Sequence, residues 1–205
     1  MKVLLINPGL PHTLPQLEFM VDAGVEVHCL NVRAGFKLER PGIVNYDWCG
    51  REETTSDLAK LTYFQMGLRA RGFIRALKPD IVHAHYATSA GLIAWLSGYR
   101  PYAVTIHGSD LLERSKSILG AALLRRVLRG AQLVNPVAGH MTGLLREWGV
   151  GEDRTLVMPF GIDLRKLPFV PRTNRLADGV RLLCTRNLDR PVYDIPTLLH
   201  ALPQA

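Results

Sequence analysis

The feature that most constrains this chain is a regular alternation of short apolar runs with helical stretches. Lys2–Asn7, Val25–Val32, Ile81–His85, Tyr102–His107, Leu133–Pro136 and Thr155–Met158 read as strands, with Ile43–Tyr46 as a weaker candidate. Several are apolar almost throughout, as strands covered by helices on both faces must be. Thr13 with Gln16 predicts a capping box opening a helix that stops at Gly24. A second helix is expected from Asp57 to Lys78, ended by Pro79, with Leu58, Leu61, Phe64 and Leu68 as its apolar face. Further helices are expected from Ser89 to Gly98, over Ser115–Arg129, and around the stripe Met141, Leu144, Leu145 and Trp148. Such alternation predicts an α/β fold: a Rossmann-like parallel sheet with right-handed crossovers and helices on both faces.

The expected division is a Rossmann-like domain over 1–167, a polar, proline-bearing linker over 168–179, and one strand (Val180–Thr185) and one helix of a second domain over 180–205. Asp194 is the expected cap of that last helix, and Ile195, Leu198, Leu199 and Leu202 its apolar face. One strand and one helix bury too little to form a core, so the second domain reads as an incomplete one.

Composition excludes several classes. Among 205 residues, 47% are hydrophobic and 21% charged, ordinary for a globular chain. No apolar run approaches the roughly 18 residues a membrane span needs, and the Val3–Ile6 run is too short for a signal-peptide core, which predicts a cytoplasmic protein. Cys29, Cys49 and Cys184 fit neither a disulfide framework nor a zinc site. The net charge of +7 favours anionic partners. No nucleic-acid-binding pattern is present, so those partners reduce to phosphate-bearing ligands or an anionic membrane. Arg69, Arg71, Arg75 and Lys78 on one helix, with Arg114, Lys116, Arg125, Arg126 and Arg129 on or near another, are solvated faces or a peripheral membrane-docking surface.

In open parallel sheets ligands gather at the carboxyl ends of the strands. Here those ends carry Asn7-Pro8-Gly9, His83-Ala84-His85-Tyr86, His107-Gly108-Ser109-Asp110, Asn135-Pro136 and Phe160-Gly161-Ile162-Asp163. Gly108 allows close approach of a backbone to a ligand. Asp110 can accept from sugar hydroxyls, orient His107, or cap the following segment. His83 and His85 share one strand face; with no third ligand nearby, one packed and one site-facing histidine is expected rather than a metal centre. The absence of a Gly-x-Gly-x-x-Gly or P-loop pattern after the first strand argues against a dinucleotide oxidoreductase or P-loop enzyme.

Pro79-Asp80-Ile81-Val82-His83-Ala84-His85 with Ala90-Gly91-Leu92, and Val104-Thr105-Ile106-His107-Gly108-Ser109-Asp110, closely resemble the N-terminal domain of family-4 glycosyltransferases, retaining enzymes of GT-B fold. Val157–Leu164 resembles the family's interdomain signature, with Phe160 where an asparagine is usual, and Arg186-Asn187-Leu188 resembles the start of the nucleotide-sugar domain. The resemblance implies a nucleotide-sugar donor, an acceptor of open identity and no metal or other cofactor. His107 would support the reacting centre, and Arg186 would neutralise the departing diphosphate. Gly9, His85, Gly108, Ser109, Asp110, Asn135, Gly161 and Asp163 would line the acceptor and sugar site. These 205 residues alone would be inactive. The competing readings are a ligand- or lipid-binding module without catalysis and a sugar-nucleotide epimerase.

Overall fold

A computed structural model describes residues 1–10, 13–32, 38–48, 57–113, 117–167, 169–171, 182–188 and 193–202; the side chains of 57–61 are left out of the description. The chain divides into two compact units, Met1–Asp163 and Leu164–Ala205.

In the first unit β1 (Lys2–Asn7), β2 (Glu26–Asn31), β3 (Ile43–Asp47), β4 (Ile81–His85), β5 (Tyr102–Ile106) and β6 (Leu133–Pro136) form one parallel sheet in the order β3-β2-β1-β4-β5-β6. The weaker strand candidate is thus a true edge strand. Thr155–Met158, expected as a strand, forms only one bridge, Val134 with Thr155. Its backbone instead follows β6 loosely, through Leu156 N–H to Val134 and Met158 N–H to Pro136.

Pleating sorts the side chains. Leu4 and Ile6 enter a large core with Val82, Ala84, Val104 and Ile106, while Leu5 joins a smaller one with Val27, Cys29 and Leu17 of α1 (Leu14–Asp22). Helices α2 (Asp57–Leu77), α3 (Gly91–Ser97), α5 (Ile118–Gly130) and α6 (Thr142–Glu147) contribute to the large core. A single-turn α4 (Ser109–Leu112) follows β5.

Four expectations change. The buried face of α2 is Met66, Ala70 and Ile74, whereas Phe64 and Leu68 are exposed and the side chains of Leu58 and Leu61 lie outside the described residues. The cause is close packing on α3: a Cβ on Gly67 would lie 2.6 Å from Leu96 Cβ, so the small residues Gly67 and Ala70 decide which stripe faces inward. Thr13 forms no capping box; its hydroxyl donates back to the Leu10 carbonyl at 2.7 Å. Residues 182–185 carry no strand, since no neighbouring strand among the described residues supplies a ladder. Asp194 adopts φ 44° and makes no side-chain cap to α7 (Ile195–Ala201). Most of the expected 168–179 linker, with Arg114, Lys116 and Cys49, lies outside the described residues.

Candidate active site

The strand order reverses between β1 and β4, and ligand sites of doubly wound sheets open at that point, beyond the carboxyl ends of the strands. Three histidines rise toward it. His83 and His85 lie on the sheet face opposite Val82 and Ala84, with their rings 4.6 Å apart. His85 Nδ1 is 3.2 Å from His107 Nε2, and the two rings meet edge-on.

Both strand histidines are packed, which corrects the expectation of one facing the site. His85 is fully buried, its Nδ1 against His107 Nε2. Burial pushes His83 down from its ordinary 6.5 to about 4, so it is neutral at physiological pH. Its Nε2 sits 2.8 Å from Thr105 Oγ1, which also accepts from Asn135 Nδ2 at 3.3 Å. Asn135 Oδ1 in turn accepts from Met158 N–H at 3.0 Å, anchoring the segment that leads to Phe160.

The loop after β5 depends on two residues. Gly108 adopts φ 114°, which a side chain rarely tolerates, although a Cβ there would meet nothing within 4 Å; the requirement is conformational, not steric crowding. Asp110, 3% exposed, accepts from Ala87 N–H at 2.8 Å, Gly108 N–H at 2.9 Å and His107 N–H at 3.0 Å. Burial raises its pKa, opposed by these backbone donors. Of the readings open for Asp110, the structure shows it binding backbone on both sides of the site and tying the β4 loop to the β5 loop.

The His107 ring contacts two aromatic rings, Tyr86 at 4.7 Å and Phe160 at 4.8 Å. Ser109 is exposed and pairs with the Tyr86 hydroxyl at 3.0 Å. Sequence reasoning did not select Tyr86 as a site residue; its position directly after the His-Ala-His strand was the available signal. Gly9, at φ 86°, shapes the turn after β1, where Leu10 N–H donates to Asn7 Oδ1 at 3.0 Å. Gly161 is exposed and Asp163 half-buried at the end of the first unit. In the second unit Arg186 lies over the Tyr193 ring at 5.3 Å. Among the described residues no group of three or more His, Cys, Asp or Glu is placed to hold a metal ion. No helix among them is long and apolar enough to cross a membrane.

A family model described as glycosyl transferase 4-like matches residues 2–136. The chain belongs to this family. Among solved structures it is similar to sucrose-phosphate synthase from Thermosynechococcus elongatus, with a TM-score of 0.62 and 14% identity over 80% of this chain and 49% of that one. A second structure of that synthase gives 0.60 and 15%, covering 82% of this chain and 93% of that one. A putative UDP-N-acetylglucosamine 2-epimerase from Listeria monocytogenes gives 0.55 and 15%, covering 76% and 44%. At these identities the likeness is one of fold: the first unit is a Rossmann-like half of the GT-B architecture, and the chain spans about half the length of two of these three structures. A search of curated protein sequences gave no significant match.

Proposed function

We propose that this chain is the acceptor-side part of a retaining glycosyltransferase that moves a hexosyl group from a nucleotide-sugar to an acceptor hydroxyl. One observation carries the reading: His107 stands on a glycine-dependent loop at the switch point, backed by His85 and locked by Asp110. Such rigidity suits a group that must meet the reacting sugar without reorganising. His107 would contact the transferred sugar or support the reacting centre, with Gly108, Ser109, Asn135 and the Phe160–Asp163 segment around it.

Arg186 is assigned to the departing diphosphate, where a guanidinium stabilises the developing negative charge. Departure and attack on one face of the sugar would retain the configuration and require no protein nucleophile. The chain would work in the cytoplasm. The exposed Ile118 and Leu119 beginning α5, with Arg126 and Arg129 exposed along it, suit contact with an anionic membrane. Arg125 is committed elsewhere, over the Trp148 ring at 5.3 Å.

The test is turnover. The complete protein should consume a nucleotide-sugar and release a nucleoside diphosphate with glycoside formation, and residues 1–205 alone should not. Turnover by the 205 residues alone would refute this division of labour. The fold likeness to 2-epimerases sustains one rival reading, which product analysis separates: a free or epimerised sugar in place of a glycoside would assign the protein there.

A further inference from the structure

Tyr86 is held in a conformation that bulky residues avoid. It follows the last residue of β4, has φ 77°, and opens a five-residue π-helix, Tyr86–Ala90. A glycine would reach that φ without strain, whereas a tyrosine there is an outlier that persists only when its surroundings enforce it. Core packing does not supply the reason, because the half-buried Tyr86 ring belongs to neither apolar cluster. Its contacts are with the site: the ring tilts against His107 at 4.7 Å, and the hydroxyl reaches Ser109 Oγ at 3.0 Å on the exposed side. The Asp110 carboxylate holds both Ala87 and His107 by their N–H groups, so the spacing between the two rings is fixed through one buried residue. Phe160 also packs on His107, with ring centroids 4.8 Å apart, so three rings form one contiguous group.

Resting on the transferase reading above, we infer that Tyr86 and Phe160, each packed against His107, form with it the binding wall for a pyranose ring. A pyranose presents an apolar C–H face and an edge of hydroxyls. The three rings supply aromatic surface, and Tyr86 Oη and Ser109 Oγ, 3.0 Å apart, supply hydrogen-bonding groups beside it. A lipid chain would leave that polar pair unused. A diphosphate would want fixed cations, and Tyr86, Ser109 and Phe160 carry none.

The pyranose belongs either to the acceptor or to the sugar in transit, and two experiments separate these. In the first, the 205-residue chain with 13C-labelled tyrosine and histidine rings is titrated with methyl gluco-, galacto- and mannopyranosides at millimolar concentration, with glycerol as control. Tyr86 and His107 resonances should move with at least one pyranoside and not with glycerol. Tyr86→Gly should abolish the His107 shift while leaving Tm unchanged or raised, because glycine relieves the left-handed backbone; Tyr86→Phe should weaken binding, read at His107, only several-fold. Unmoved resonances with every pyranoside, a Tyr86→Gly chain that still binds, or a steep fall in its Tm would each overturn the inference.

In the second, Tyr86→Gly in the complete protein should raise one KM. A higher acceptor KM with an unchanged donor KM assigns the wall to the acceptor sugar, the reverse to the transferred one, and no change in either refutes a role in the reaction. Failure of the transferase reading would look different: no nucleotide-sugar turnover by the unsubstituted complete protein, whatever pyranosides do to Tyr86.

Discussion

The two halves of the sheet end in polar residues at equivalent places, but they use them differently. At the ends of β1 and β2 the groups are amides, joined by Asn45 within β3, which itself ends in the exposed Asp47. Asn31 Nδ2 donates to Asn45 Oδ1 at 2.9 Å, Asn45 Nδ2 donates to the Leu38 carbonyl at 3.2 Å, and Asn7 Oδ1 takes the Leu10 amide. Cys29 Sγ donates to Asn31 Oδ1, and burial raises that thiol to about 12, so it stays protonated. Asn7 Nδ2 and, ahead of β3, Arg40 Nη1 are buried without a hydrogen bond among the described residues. Beyond β4, β5 and β6 the groups are histidines, a threonine and an asparagine, and their chain runs outward to two aromatic rings. The amide half closes on itself and fixes loops; the histidine half ends at the surface. What sets the second half apart is that its hydrogen-bonded chain ends in His107 with two aromatic rings packed against it.

The comparison can be broken most severely at Asp110. Asp110→Ala removes three backbone partners at once and should cost about 4 kcal/mol of stability, measured by urea denaturation. A loss below about 1 kcal/mol would mean that the loops after β4 and β5 hold themselves. The histidine half should also be the acid-sensitive one. His83 is neutral when folded, with its pKa near 4 against 6.5 when unfolded, so the unfolded chain binds the extra proton between those values. Stability should fall as pH drops from 6.5 toward 4, by about 3 kcal/mol in all from this residue. Asp110, whose pKa is raised on folding, works in the opposite sense at its own titration: the folded chain holds the proton more tightly, so acidification through that range favours folding. His83→Asn should flatten the profile between pH 4 and 6.5, and an unchanged profile would locate the acid sensitivity elsewhere.

In the complete protein, His107→Ala should lower kcat about a hundredfold with little change in stability, whereas a near-native rate would reduce His107 to a turn residue. The smallest effect is expected in the amide half. Asn45→Ala should cost about 1 kcal/mol and leave transfer untouched, since it removes two neutral hydrogen bonds from a scaffold. A kinetic defect there would show that the two halves are coupled.

Much of this was legible in one dimension, for local reasons. The six strands showed because each is a short apolar run, and Gly24, Gly98 and Gly149 marked helix ends because positive φ favours glycine there. His107-Gly108-Ser109-Asp110 showed as a site motif because a glycine and three polar residues interrupt an apolar strand. The α2 face was misread because Phe64 and Leu68 have the better hydrophobicity, yet Gly67 and Ala70 have the better fit against α3. Tyr86 was not selected because nothing in the letters shows that its backbone turns left-handed.

The sequence by itself thus determined the alternation of elements, the parallel sheet and the segments that gather at its carboxyl edge, because periodicity, apolar runs and turn residues act over a few neighbours. The tertiary structure alone decided which polar residues face outward. His85 is buried against His107, Asp110 binds backbone from two loops, and Tyr86 and Phe160, 74 residues apart in the chain, both contact one imidazole. Those outcomes depend on strand order and on where hydrogen-bond partners from distant segments fall, and neither is encoded within any one segment.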